Sequence, residues 1–222
     1  LRIDNRHIVP TATDSVELVV NVPQRMLFHR GADSSTLGYP IAVGRPSWPT
    51  PTGDFTVTVL ERHPTWEVPR SILEESRRAG RIQPPVVPPG PNNPLGDFWM
   101  GLSLAGIGIH ATNAPSSIFR TASHGCIRMH PDDIAQLFDR VEVGASGRII
   151  YEPVLLAVVG DAIYLEVHRD VYRRTGARAG AVARALAAAG GVSERVDWVA
   201  ADAVAAAADG LARFVTASPP AH

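Results

Sequence analysis

Residues 109–129 read IHATNAPSSIFRTASHGCIRM, and the groups in this stretch able to act on one another are His110 and Cys126, sixteen positions apart. Cys126 is the only cysteine of the 222-residue chain, so it makes no internal disulfide. A useful nucleophilic cysteine needs a base or cation beside it, and amide donors for the oxyanion formed when it attacks a carbonyl. Gly125 permits a tight turn that aims the Gly125 and Cys126 amides at one point, and a main-chain carbonyl near Ala111 serves to orient the His110 imidazole. Two other readings stay open on residue types alone. One is a metal site from His110, His124, Cys126 and His130, although the paired spacing of structural zinc is absent. The other is a small buried hydrophobe. His130 reads as a helix N-terminal residue, and His124 as a structural or supporting group. His7, His29, His63, His168 and His222 have no motif around them.

Outward from this stretch the pattern is mostly β. DFWMGLSL and GIGIH, on the N-terminal side, read as two strands, the second delivering His110 at its end. HPDDIAQLFDRV, on the other side, has Pro131 in a first-turn position and Ile134, Leu137, Phe138 and Val141 at helical spacing. VELVVNV and RMLFHR, separated by Pro23 and Gln24, predict a hairpin. LGYPIAVG, DFTVTVLERH, RIIYEP, VLLAVVG and AIYLEVH predict further strands, with a tight turn at Gly160-Asp161. RSILEESRRA (70–79) suits a short helix that PPVVPPGPNNPLG (84–96) cannot continue, which leaves a long, stiff loop and a candidate lid. Trp48, Trp66 and Trp99 lie in or beside the proline-rich loops, where they wall a cleft or pack in the core. The core domain closes near residue 168. Beyond it, ARAGAVARALAAA and VDWVAADAVAAAADGLARF predict two helices, the first stopping at Gly190-Gly191, the second capped by Ser193, and ASPPAH frays.

Bulk composition narrows the chemistry. Hydrophobic content of 45% and charged content of 19% fit a packed globular fold. The formal charge of -1, with scattered arginines, leaves no basic stripe for a phosphate backbone, so no nucleic acid is expected as a partner. All 21 basic residues are arginine, which excludes Schiff-base and lysine general-base mechanisms. No run of about 18 apolar residues appears, so no transmembrane segment is expected. The chain begins at Leu1 without methionine, which points to a processed or trimmed form, one from which a secretory signal could have been removed.

The stretch 109–129 also resembles the signature of the L,D-transpeptidase catalytic domain family, the YkuD-like proteins, which pairs an early histidine with a downstream Ser/Thr-His-Gly-Cys. VVNVPQRMLF, YPIAVGRPSWPTPTGDFTV, PTWEVP and PPGPNNPLGDF are similar to its branch in Gram-negative envelopes. The resemblance covers roughly residues 1–168 and implies a β-sandwich-like catalytic domain there, with 169–222 as an alanine- and arginine-rich helical appendage. It implies Cys126 as nucleophile, His110 as base, and the amides around His124, Gly125 and Cys126 as oxyanion donors, with Ser123 and Ala111 in support; no cofactor and no metal are expected. The implied reaction has the thiolate attack the third-residue carbonyl of a tetrapeptide stem of peptidoglycan, release D-alanine and pass the acyl group to an amine. That amine belongs to a second stem, giving a 3-3 cross-link, or to an envelope lipoprotein. The implied location is the bacterial periplasm. Arg128 suits a substrate carboxylate, and Thr112, Asn113 and Trp99 complete the candidate substrate-binding set. One departure is plain: the family usually has His-Gly-Thr where this chain has His110-Ala111-Thr112. The alternatives are a carboxypeptidase or endopeptidase of the same fold, or a non-catalytic wall-binding module.

Overall fold

Val22 to Arg25 reverse the chain between its first two long strands. Arg25 adopts φ 54 and its amide donates to the carbonyls of Asn21 and Val22, which closes the expected hairpin. In this computed structural model, which describes residues 3–4, 7–176, 178–190 and 192–217, the strands in chain order are β1 (Ile3–Asp4), β2 (His7–Ile8), β3 (Leu18–Asn21), β4 (Met26–Arg30), β5 (Thr36–Gly44), β6 (Gly53–Arg62), β7 (Trp66–Glu67), β8 (Val86–Val87), β9 (Phe98–Leu102), β10 (Gly108–His110), β11 (Thr121–Ser123), β12 (Ile127–Met129), β13 (Ser146–Ile150), β14 (Val154–Val159), β15 (Ala162–Val167) and β16 (Arg213–Phe214). The α-helices are α1 (Arg70–Arg78), α2 (Pro131–Phe138), α3 (Arg178–Ala188) and α4 (Trp198–Ala207). The chain is mostly β, as its patterning requires. None of the described helices is long and apolar enough to cross a membrane. Packing divides it into two units, residues 39–147 and the two segments that flank them.

Within residues 39–147 the strands run in the order β11-β5-β12-β10-β9-β6. β10 and β12 are parallel, with Ile109 opposite Ile127 and His110 opposite Arg128, while β9 runs antiparallel to β10 and sets Trp99 opposite His110. Period-two alternation buries Phe55 and Val57 on β6, and Ile41, Met100, Ile109, Ile127 and Met129 are fully buried. Helix α2 follows β12 at once: Pro131 takes the first turn, the His130 ring accepts from the Asp132 amide at 3.3 Å, and Ile134, Leu137 and Phe138 are buried. Val141, read as the next helical position, lies beyond the helix end but is buried all the same.

The proline-rich segment 84–96 is not the free lid its composition suggested. Val86 and Val87 pair with Trp66 and Glu67, and Asn93, fully buried, donates from Nδ2 to the Pro64 carbonyl at 2.8 Å. Its Oδ1 accepts from the Leu95 amide at 2.9 Å. A single buried amide side chain thus supplies the hydrogen bonds that prolines cannot.

In the flanking segments, β14, β15 and β16 form one sheet, and Ile163, Leu165 and Val167 share a core with Val182, Leu186, Ala201, Val204 and Val215. Two details of the tail differ from the helical reading. The second helix is capped by Asp197, whose Oδ1 accepts from the Val199 and Ala200 amides, rather than by Ser193, because buried Val196 is held extended opposite Thr216. It ends at Ala207, and Arg213-Phe214 pair with Leu165 and Tyr164 as a strand. Gly191 and the end of ASPPAH, from 218 on, lie outside the described residues. His7 and His168, which carried no motif, meet at Glu166: His7 Nδ1, His168 Nε2 and Gln24 Nε2 lie 3.0, 2.7 and 3.1 Å from its Oε1, and the Ile8 amide donates to Oε2. Burial would raise this carboxyl, but the donors, His168 and His7 foremost, hold it below the usual carboxylate range. Those donors already satisfy the carboxylate, so the cluster is a hydrogen-bonded clasp.

Candidate active site

Two neighbouring strands carry the histidine and the cysteine, with His110 in register with Arg128, two residues after Cys126. His110 is the last residue of β10, and Cys126 immediately precedes β12, parallel to it. The Cys126 thiol lies 3.6 Å from the Gly106 carbonyl and within reach of the Gly108 backbone. Trp99, on the other side of β10, sets its ring 5.9 Å from the His110 ring. The indole occupies the space a side chain at Gly108 would need, since a Cβ there would stand 2.3 Å from Cη2.

His110 is buried, and its Nδ1 lies 2.5 Å from the Ala111 carbonyl oxygen. A carbonyl only accepts, so the proton of the neutral ring sits on Nδ1 and Nε2 carries the lone pair. Burial, then the positive charge of Arg128, pushes the imidazole down to about 4, against smaller contributions from the Ala111 and Leu95 backbone. Burial also raises the Cys126 thiol, with the Gly108 backbone and Arg128 opposing it. At neutral pH Cys126 is therefore a thiol and His110 a neutral imidazole.

The turn carrying Cys126 is held from both sides. The Ser123 hydroxyl donates to the Cys126 carbonyl at 2.5 Å and accepts the Gly125 amide at 3.2 Å, so the Gly125 N–H, expected at the oxyanion, is used within the turn. Gly125 sits at φ 112, where a side chain is strained. Its carbonyl accepts from buried Thr50 Oγ1 at 2.8 Å, and that hydroxyl accepts the Gly44 amide at 2.8 Å. His124 Nε2 lies 2.7 Å from Glu75 Oε2 and 2.7 Å from Arg45 Nη2, with the Trp48 ring 5.5 Å away.

This arrangement coincides with a family match. Residues 15–155 fit the model of the YkuD, L,D-transpeptidase catalytic domain, family. The chain belongs to that family. Among curated relatives it is similar to the Escherichia coli (strain K12) protein named Probable L,D-transpeptidase ErfK/SrfK, 38% identical over 163 residues, which cover 70% of this chain and 51% of that protein. It is also similar to Probable L,D-transpeptidase YbiS of the same organism, 33% identical over 173 residues, covering 76% of this chain and 55% of that one. The chain spans about half the length of these curated relatives. Among solved structures, an L,D-transpeptidase from Mycobacterium smegmatis aligns with a TM-score of 0.46 at 24% identity, covering 61% of this chain and 59% of that one.

The remaining expected residues of this family site fall as follows. Ala111 replaces the usual glycine without strain: it is not among the described residues with positive φ, its amide donates to the Phe98 carbonyl at 3.1 Å, and its methyl lies over Gly96, where an added Cβ would stand only 2.6 Å away. Thr112 is buried, its hydroxyl accepting the Ala114 amide at 3.0 Å, which makes it a turn brace. Asn113 is exposed and donates to the Pro91 carbonyl at 3.4 Å. Arg128 is half-buried, and its Nε is buried without a hydrogen-bond partner among the described residues. His130 belongs to the α2 cap. Thr50, Arg45 and Glu75 were missed. Thr50 lies inside PSWPTPTG, a segment already noted for its likeness to the family, whereas nothing local marks Glu75 among the charges of α1.

Proposed function

We propose that this domain is a cysteine-dependent L,D-transpeptidase acting on peptidoglycan stem peptides in the bacterial envelope, on the periplasmic side. The observation that carries the reading is the His110 imidazole fixed through Nδ1 to the Ala111 carbonyl, on a strand parallel to and paired with the one that Cys126 precedes. Nε2 of His110 takes the thiol proton as sulfur attacks the third-residue carbonyl of a tetrapeptide stem. The C–N bond to the terminal D-alanine breaks, the proton passes to that leaving amine, and a thioester remains on Cys126. An incoming amine then displaces the sulfur and the thiol is restored. The Cys126 and His124 amides support the oxyanion, and Arg128, the cation beside the sulfur, receives a substrate carboxylate. A catalytic domain over residues 1–168, with 169–222 as a helical appendage, is part of this reading. A stem amine as acceptor gives a 3-3 cross-link, a lipoprotein lysine gives an anchored protein, and water gives trimming.

Incubation of the chain with a disaccharide-tetrapeptide, read by mass spectrometry, tests it. Cross-linked dimer with loss of D-alanine is expected, and its absence with accumulation of tripeptide alone sinks transfer in favour of hydrolysis. A Cys126→Ala variant that keeps full activity sinks the nucleophile.

A further inference from the structure

Helix α1 touches the turn of the nucleophile through one carboxylate. Glu75 Oε2 lies 2.7 Å from His124 Nε2, and Glu75 Oε1 and Oε2 lie 2.6 and 2.7 Å from Arg45 Nη2. Arg45 Nη2 is itself 2.7 Å from the same imidazole nitrogen. A guanidinium only donates and a carboxylate only accepts. His124 Nε2 therefore faces two incompatible demands: a lone pair for Arg45 or a proton for Glu75. The carboxylate resolves them, because it accepts from both neighbours, whereas Arg45 and a protonated Nε2 repel each other unless a negative charge sits between them.

We propose that Glu75 is a positioning residue for Cys126: it holds His124 with its proton on Nε2, shields that ring from Arg45, and so fixes the Ser123–Cys126 turn. This rests on the reading of Cys126 as nucleophile. Three further contacts transmit the effect. The Arg45 amide donates to the Ser123 carbonyl at 3.0 Å, the Trp48 amide donates to the Arg45 carbonyl at 2.8 Å, and the Trp48 ring packs on His124. Hydrogen bonds from His124 and then Arg45 hold the Glu75 carboxyl below the usual carboxylate range, so it stays ionised across the working range of such an enzyme. Without the carboxylate nothing holds the proton on Nε2: the ring is free to take the other tautomer and accept from Arg45 Nη2, α1 no longer ties the ring to the turn, and the main chain two residues before the sulfur loosens with it. Displacement of a reacting atom by about 1 Å costs on the order of 100-fold in rate.

Acylation of the full chain by a carbapenem, followed by intact mass over time at several concentrations, separates the maximal rate from the half-saturating concentration. Glu75→Ala is expected to lower the maximal rate by at least about 10-fold while half-saturation stays within about two-fold, and Glu75→Gln, which keeps one acceptor oxygen, recovers most of the loss. Glu74→Ala, which removes the neighbouring carboxylate paired with Arg70 and Arg78, leaves the rate unchanged. Hydrogen exchange of the turn amides reads the same claim without activity: Glu75→Ala loses protection there and Glu74→Ala does not. Wild-type rate and protection in Glu75→Ala, or an equal loss in Glu74→Ala, overturns the role of Glu75 alone. A wild-type chain that takes up no adduct overturns the reading of Cys126 and this role with it.

Discussion

The Nδ1 of His110 is bonded to the carbonyl oxygen of the very next residue, Ala111. This imidazole is thus oriented by main chain, and no side chain needs to be ionised to hold it. The environment then decides its charge. With the imidazole pushed down to about 4 and the thiol raised, the reactivity of Cys126 toward iodoacetamide is expected to climb steadily above pH 7 with no plateau between pH 5 and 8. A plateau in that window, diagnostic of a preformed thiolate and imidazolium, contradicts the assignment.

The same burial enters folding. A histidine with an unfolded value near 6.5 and a folded value of about 4 binds more protons when unfolded. Its stabilising share is complete above pH 6.5 and is lost as pH falls toward 4, amounting to about 3 kcal/mol from 1.36 kcal/mol per unit. Urea melts of wild type and His110→Gln across that window measure it. Wild type should lose stability more steeply on acidification, and parallel curves would refute the linkage.

Gly108 and Trp99 form a fit without slack. A Gly108→Ala methyl would stand 2.3 Å from the indole, displacing the ring that lies beside His110. Overpacking of this kind costs about 1–3 kcal/mol. A lowered denaturation midpoint together with slower carbapenem acylation is expected. Wild-type values for both would show that the indole moves freely.

Ala111 and Gly96 make a reciprocal pair. Ala111→Gly, which restores the residue usual in the family, should acylate within about two-fold of wild type and lose less than about 1 kcal/mol. Gly96→Ala should lose far more, because its Cβ would stand 2.6 Å from the Ala111 methyl at φ 63. Combining the two relieves the methyl clash and leaves only the backbone strain. Strict additivity of their effects in a double-mutant cycle would refute the contact.

Asn93 fastens the proline-rich segment. Asn93→Ala strips the Pro64 carbonyl and the Leu95 amide of their partners, a loss of about 1–3 kcal/mol for buried groups. Limited proteolysis should then cut within residues 84–96 first. A cleavage pattern identical to wild type would show that the prolines alone keep the segment rigid.

The longer strands and α2 were legible because each rests on a short-range signal, period-two burial or a first-turn proline, and His110 and Cys126 were singled out as a strand-end imidazole and a lone thiol. Likeness to a family supplied the rest of that reading. What escaped notice depends on distant partners. Glu75 meets a histidine 49 residues away, and Glu166 gathers His7 from 159 residues away, with no local mark on any of them. Arg213-Phe214 read as helix beside their alanine-rich neighbours, since strand character there comes from Leu165 and Tyr164. Asn93 sat among prolines that argue only against regular structure.

The shared core of β15 and the tail also bears on how the protein can be handled. A chain cut after residue 168, where the motif-bearing part ends, would leave Ile163, Leu165 and Val167 without Val182, Leu186, Val204 and Val215 against them. Such a fragment would present a bare apolar sheet face to water, a surface that drives self-association and dye binding. Expression trials that trim the tail for convenience should therefore yield aggregates, whereas those that keep it through Val215 retain the hairpin's partner and a tractable sample.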